Sequence, residues 1–345
     1  MSKKKSGCGR VFLVVLCIVL GLILAALIAA TVYANYLLGL MNRNEDIPQE
    51  TLSQEQIDAI LKEETVSPDD ATAPEVKEED INWGENEGEV IESSHNIVNI
   101  MLIGQDARPG EIRARSDTMI LVTFNKEEKT ITMTSFLRDI YVKIPGYYDT
   151  KLNAAYAFGG MELLNETLKA NFGVQVDGNV EVNFARFAEV IDLLGGVDLE
   201  LRTDEAGFIN QSTGRYELKE GLQHLDGEQA LFYSRIRHLD GGSDFARTSR
   251  QRKVINALIE KFRDTKLTTL LGLLDDLLPM VATDMDNETI IKYAKDLFPM
   301  LADCTIVSQR VPADGEYYLG MIDSISYVMA DMDAARELLK QTIGN

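Results

Sequence analysis

Covalent staples and soft-metal chemistry have little to work with in this sequence. Its three cysteines are Cys8, Cys17 and Cys304, and the first two lie in or beside an apolar N-terminal run. Cys304 is left alone, so the rest of the chain has neither an intrachain disulfide nor a CxxC metal pair. The three histidines, His95, His224 and His238, are too scattered for a metal cluster. No HExxH, GxSxG or P-loop pattern occurs, which argues against zinc proteases, nucleophile-elbow hydrolases and Walker-type nucleotide enzymes. Positive charge is also scarce: 34 Lys and Arg stand against 55 Asp and Glu, a net charge of −21. A phosphate backbone repels such a surface, so nucleic acid is not an expected partner.

What charge there is falls unevenly. Residues 1–43 carry +5 with no acid, residues 44–96 carry −15, and residues 97–345 carry −11. From Val11 to Thr31 the chain has no charged residue, and this run exceeds the ~20 apolar residues that cross a bilayer. It is too long for the ~7–15-residue apolar region of a cleaved signal peptide. Lys3, Lys4, Lys5 and Arg10 precede it and a run of acids follows, so the positive-inside rule predicts a single-pass membrane protein with an extracellular C-terminal part. The expected organisation is a cytoplasmic tip over 1–10, a transmembrane helix over 11–38, an acidic extracellular linker over 39–96 and an extracellular domain over 97–345. The linker is poor in aromatics and punctuated by Pro and Gly, as a solvated spacer would be. A short helix fits residues 51–64, and Trp83, the sole tryptophan, either docks on the domain or stands free in the linker.

From Asn96 short apolar runs predict strands over 96–104, 117–125 and 131–137, with a hairpin break at 126–130. Helices are predicted over 153–172, 184–194, 225–238 and 243–264, with others near 266–279, 287–301 and 326–342. Strands are predicted over 197–201 and 305–310. Strands interleaved with helices make the domain α/β or α+β, with helices covering a central sheet.

The segment "SFLRDIYVKIPG" (135–146) reads as a strand, yet it sets Arg138 and Asp139 side by side among residues built for burial. Nine of the fifteen arginines beyond residue 96 fall in three short stretches. They are Arg108, Arg113 and Arg115; Arg138; and Arg235, Arg237, Arg247, Arg250 and Arg252. Arginine is preferred where phosphate is recognised by a planar, bidentate group. Arg247 and Gln251, four apart on a predicted helix, share a face with Arg250 beside them. Asp106 closes the first strand and Asp117 opens the second, so a hairpin return would bring two carboxylates together. Beside phosphate oxygens such a pair suits Mg2+ or Mn2+. Equally, Asp106–Arg108 and Arg115–Asp117 could be ordinary salt bridges across a turn.

Seven stretches now carry a resemblance: "GQDAR", "RSDTM", "SFLRDIYV", "KLNAAYAFGG", "IDLLGGVDL", "LDGEQALFYSRIRH" and "SDFARTSRQRKVI". In this order behind one apolar N-terminal span, the chain resembles the LytR–CpsA–Psr (LCP) family, most closely over 97–265. The resemblance implies a three-layer α/β/α fold around a central mixed sheet. It implies transfer of a cell-wall glycopolymer, of teichoic acid or capsular polysaccharide type, from a polyprenyl diphosphate carrier to peptidoglycan. Residues matching the family's pattern are Asp106 and Asp117 for Mg2+, and Arg115, Arg138, Arg235, Arg237, Arg247 and Gln251 for the diphosphate. Lys151 matches a family lysine at the same head group, and Arg108 and Arg250 extend the cluster. Asp139 is expected to fix Arg138 or a neighbouring arginine. Two other functions use the same residues: hydrolysis of the diphosphate as a phosphatase, and a non-catalytic envelope scaffold or regulator.

Overall fold

The apolar runs after Asn96 become the middle of a sheet. The computed structural model describes residues 32–43, 56–57, 73–85, 88–105, 113–236, 239 and 244–344. Counting strands from the short β1 (Asn42–Arg43), the runs form β2 (Ile97–Gln105), β3 (Ser116–Asn125) and β4 (Thr130–Phe136). β2 and β3 pair antiparallel from Ile97 opposite Asn125 to Gln105 opposite Ser116, with a register shift after Gly104. The β3–β4 turn closes because the Asn125 side chain accepts from the N–H groups of Glu127 and Glu128, at 3.1 and 3.0 Å.

β7 (Gly178–Asn183), β10 (Val281–Thr283) and β11 (Thr305–Val311) complete a mixed sheet of order β1-β10-β7-β2-β3-β4-β11. Its strands are covered on both faces, which is why β2 and β3 read as continuous apolar runs. On one face α1 (Leu152–Phe172) and α8 (Met332–Ile343) pack Tyr156, Leu164 and Leu339 on Met101, Ile103 and Leu121. On the other, α5 (Asp244–Asp264) and α7 (Asn287–Leu301), with α6 (Leu267–Leu277) between them in the chain, pack Ile255, Ile259 and Met300 on Ile120, Val122 and Met133. A separate apolar cluster joins α2 (Phe184–Leu193), α3 (Thr203–Thr213), α4 (Gly227–Arg235) and the hairpin β8 (Val197–Leu201)–β9 (Gly221–Leu225) to Val254 of α5. α4 opens on a capping box: Asp226 accepts from Gln229 N–H at 2.9 Å, and the Gln229 side chain accepts from Asp226 N–H at 3.1 Å.

The fold expected from the sequence is present as a mixed α/β architecture, with local departures. The helix expected over 326–342 starts only at Met332, behind the cap Asp331. Its first part belongs to a hairpin, β12 (Tyr317–Ile322) and β13 (Ile325–Ala330), whose two-residue turn Asp323–Ser324 has φ of 50° and 66°. α1 is broken at Gly159–Gly160, where Gly160 takes φ 65° and ψ −150°, a conformation open essentially to glycine. Part of the acidic stretch lies on the domain: Glu75 bridges to Met321, and Val76, Ile81 and Trp83 pack against Tyr141, Tyr327 and Met329. The helix expected over 51–64 falls mostly outside the described residues, of which Gln56 and Ile57 are helical. Residues 11–31 of the expected membrane span also lie outside them, and among the described residues no helix is long and apolar enough to cross a membrane.

Candidate active site

Why Arg138 sits in an apolar segment is answered by where the segment goes. Phe136, Leu137, Ile140, Val142 and Ile144 are buried in the core between sheet and α1. Arg138 and Asp139 are held between them by the start of α1: Asn153 N–H donates to the Arg138 carbonyl at 3.1 Å, and Leu152 N–H to that of Ile140 at 2.9 Å. The stretch is not one strand: β4 ends at Phe136 and β5 (Tyr141–Val142) begins after the turn that carries Arg138 and Asp139, so both charged side chains lie beyond the end of β4, about one-fifth exposed.

A row of alternating charges results. Arg138 Nη1 lies 2.6 Å from Asp117 Oδ1, at the start of β3, and Arg138 Nε lies 3.3 Å from Asp139 Oδ2. Lys151, buried in the two-residue strand β6 (Thr150–Lys151), lies 3.3 Å from Asp139 Oδ1. Burial pushes the Asp139 carboxyl up, but the charges of Arg138, Lys151 and Arg247 outweigh it and hold the group below its usual range. Asp139 is thus an ionised anchor that fixes the cations around it. Arg115 stands half-buried just before β3, two residues from Asp117.

α5 brings the second group. Arg247 and Gln251 lie one turn apart and are nearly fully buried, at 2% and 6% exposure. The Gln251 side-chain oxygen is buried without a hydrogen-bond partner among the described residues. Arg250 is placed otherwise: its Nε pairs with buried Glu205 of α3 at 2.8 Å, and its Nη1 donates to the Ile236 carbonyl. Burial and the neighbouring Arg310 pull the guanidinium of Arg252 down to about 10. Arg235 is exposed in the last turn of α4. Asp106, Arg108, Arg237 and His238 lie outside the described residues.

Beside this cluster, between sheet and helices, runs a cavity of about 300 Å3. Its walls are almost wholly apolar, including Leu102, Val180, Phe187, Val190, Ile255 and Leu258. Gln251 and Thr118, the neighbour of Asp117, also line it, so the cavity and the charge cluster share a border. The sequence offered no signal for these wall positions, since core and cavity residues are equally apolar. It also gave little notice of Glu181 in the central strand β7. That carboxylate accepts hydrogen bonds from Gln105 and the Tyr156 hydroxyl, and burial pushes its pKa up, against those bonds and the charge of Arg113.

The donor chemistry suits a hard divalent cation. Asp117 supplies carboxylate oxygen at the site, and Asp106 directly follows Gln105, which pairs with Ser116. His224 is engaged elsewhere, 2.7 Å from Asp198, and among the described residues no group of three His, Cys, Asp or Glu could hold a metal alone. A phosphate ligand would have to complete such a coordination shell.

The model of the LytR_cpsA_psr family matches residues 57–343, and the chain belongs to this LytR–CpsA–Psr family. It is 37% identical over 208 residues to the polyisoprenyl-teichoic acid–peptidoglycan teichoic acid transferase TagT of Bacillus subtilis, a match covering 59% of this chain and 63% of that protein. It is 38% identical over 202 residues to the transferase TagU of Oceanobacillus iheyensis, covering 56% and 61%. The chain thus matches less than two thirds of either relative. Among solved structures, TagT bound to LIIa-WTA superposes with a TM-score of 0.62 at 30% identity, over 77% of this chain and 99% of that one. A TagT structure with bound octaprenyl pyrophosphate lipid gives 0.58 at 28% identity, over the same shares.

Proposed function

We propose that this chain is a membrane-anchored, outward-facing phosphotransferase. It moves an anionic glycopolymer of teichoic acid type from a polyprenyl diphosphate carrier to peptidoglycan and joins the two by a phosphodiester. The observation that carries this is the shared border of cavity and charge cluster: an apolar slot ending at Gln251 and Thr118, against Asp117, Arg138 and Arg247. A polyprenyl diphosphate has that same division, a hydrocarbon chain joined to a polyanionic head. The relatives' names and the octaprenyl pyrophosphate bound to TagT support the same assignment.

In this reading the polyprenyl chain lies along Phe187, Val190, Ile255 and Leu258. The diphosphate lies against Arg115, Arg138, Arg247, Lys151 and Gln251, joined by Arg235 and Arg237. Arg138 and Lys151 are pre-organised by Asp139, so they offset developing charge without rearranging. The acceptor sugar hydroxyl attacks the sugar-bound phosphorus. A P–O bond forms, the bond to the bridging oxygen breaks, and polyprenyl phosphate leaves carrying the negative charge. The hydroxyl proton goes to Asp106 or Asp117, since the charges of Arg138, Lys151 and Arg247 lower the pKa of Asp139 and make it the weaker base. Mg2+ or Mn2+ held by Asp106 and Asp117 would add positive charge to the diphosphate oxygens.

The test uses purified full-length protein with lipid-linked polymer and peptidoglycan. Polymer linked to peptidoglycan through a phosphodiester, with polyprenyl phosphate released, is the expected product. EDTA stops the reaction and Mg2+ restores it. Release of free polymer phosphate with nothing attached to peptidoglycan would make the protein a phosphatase and overturn the assignment.

A further inference from the structure

The residues that follow the apolar N-terminal run belong to the domain. Residues 32–38 are helical, and β1 follows at Asn42–Arg43. β1 pairs parallel with β10, Asn42 opposite Ala282 and Arg43 opposite Thr283. The Asn42 side chain donates to the carbonyls of Pro279 and Val281, at 2.8 and 3.3 Å. Arg43 is the staple. Its guanidinium donates to the Leu38 carbonyl at 3.0 Å, to the Met285 carbonyl after β10, and to the Asn287 side chain at the start of α7. One side chain thus ties the helix end, the sheet edge and α7 together. Leu37 and Leu38 are buried, whereas Tyr33 and Tyr36 are half exposed and stack at 6.4 Å between ring centres. Exposed tyrosines just beyond an apolar run suit the interface of a bilayer.

The edge they form is where the apolar cavity ends. Its lining crosses the sheet strand by strand: Thr118 on β3, Leu102 and Gly104 on β2, Val180 and Val182 on β7, and Val281 on β10. Thr118 marks the end beside Asp117. Val281 marks the far end, and β1, the next strand, lies ~4.8 Å beyond β10. Leu277 of α6 lines the cavity as well, and a single 3₁₀ turn, Leu278–Met280, follows it and is held by Asn42. Leu273, Leu274, Leu278 and Met280 of this stretch remain partly exposed. Helical residues 32–38 rise only about 10 Å, so a span over 11–31 leaves this edge within reach of the bilayer surface.

We infer that residues 32–43 clamp the domain on the bilayer with its β10–α6 edge toward the lipid, so that the cavity receives the polyprenyl chain there without the chain crossing water. Each methylene kept out of water stabilises the bound chain, so this route matters more as the chain lengthens. Charge is not what holds the face down, because Asp275 and Asp276 are exposed on α6 and repel an anionic surface. The covalent span and the Arg43 staple supply the hold. The inference rests on the membrane-anchored reading of the chain and on its binding of polyprenyl diphosphate, and it is independent of transfer.

The test uses full-length protein in phosphatidylcholine nanodiscs and two ligands. One is a long-chain polyprenyl diphosphate embedded in the same bilayer; the other is geranyl diphosphate dissolved in the buffer. Two variants release the clamp. Arg43→Ala removes the staple, and a Gly/Ser insertion of about ten residues between Thr31 and Val32 lengthens the tether while keeping the contacts of residues 32–43. Each should weaken binding of the embedded ligand about tenfold by lowering its effective concentration at the cavity. Binding of geranyl diphosphate should stay within about twofold of wild type, which also shows that the variants fold. Unchanged binding of the embedded ligand in both variants overturns the clamp. So does an equal loss of both ligands in Arg43→Ala beside a normal insertion variant, which would make Arg43 an ordinary structural residue. If the two ligands separate as expected but wild type attaches no polymer to peptidoglycan, the clamp stands and the transferase reading falls.

Discussion

Asp139 shows how one side chain sets the character of its surroundings. It is ionised, partly buried and in contact with two cations, Arg138 and Lys151, while a third, Arg247, also acts on it. Its pKa in the folded protein lies below the ordinary value, so the folded state binds its proton less tightly than the unfolded chain does. The stability it contributes is therefore complete above the unfolded value of about 3.9 and is lost as pH falls through the folded value. Asp139→Asn should lower stability by roughly 1–3 kcal/mol near pH 7, the scale of a charge-assisted contact. The gap to wild type should close as thermal unfolding is followed from pH 5 down to the acid limit. A gap independent of pH would mean that the carboxylate's charge is not what matters. The sequence already pointed to this residue, because an Arg–Asp pair inside an apolar segment needs partners. It could not point to Glu181, whose short segment "GNVEVN" reads as polar but which is a central strand carrying a hydrogen-bonded acid.

Elements decide between arginines that the sequence leaves alike. Arg247 and Arg250 lie three apart on α5, a spacing that puts both on neighbouring faces. The packing of α5 turns one to the charge cluster and the other to Glu205 of α3. Their variants should separate cleanly. Arg250→Ala leaves buried Glu205 with only the more distant Arg202, at 4.0 Å, and should cost about 3 kcal/mol of stability. Arg247→Ala should lower the melting temperature less than Arg250→Ala does and weaken polyprenyl diphosphate binding at least ~10-fold. Paired melting and lipid-binding curves check both, and the reverse pattern would exchange the two roles. Similar logic explains which elements were legible. The apolar strands β2–β4, the capped helix α4 and the long α5 announce themselves by period and cap. The β12–β13 hairpin does not, because "ISYVMADMDAARELL" runs strand into helix without a glycine or proline between them.

At the scale of the whole molecule the charge distribution and the apolar cavity agree. An acidic protein sets Arg138, Lys151 and Arg247 around Asp139, with an apolar cavity bordering them, and carries a second, aromatic and acidic groove between residues 80–83 and the β12–β13 hairpin. Part of the acidic stretch forms a wall of that groove, so the segment read from composition as a spacer also contributes structure. The motifs located the charge cluster because charged residues in apolar surroundings stand out. Neither the cavity nor the groove was visible beforehand: the cavity is lined by residues that any core contains, and the groove by segments far apart in the chain.

The central claim is that the cavity and the charge cluster together hold one polyprenyl diphosphate. A crystal structure of the full-length protein with a polyprenyl diphosphate bound tests this most directly. The expected result places the hydrocarbon along Phe187, Val190, Ile255 and Leu258, with the diphosphate against Arg138, Arg247 and Gln251. A head group bound away from these residues, or a chain lying outside the cavity, would contradict it.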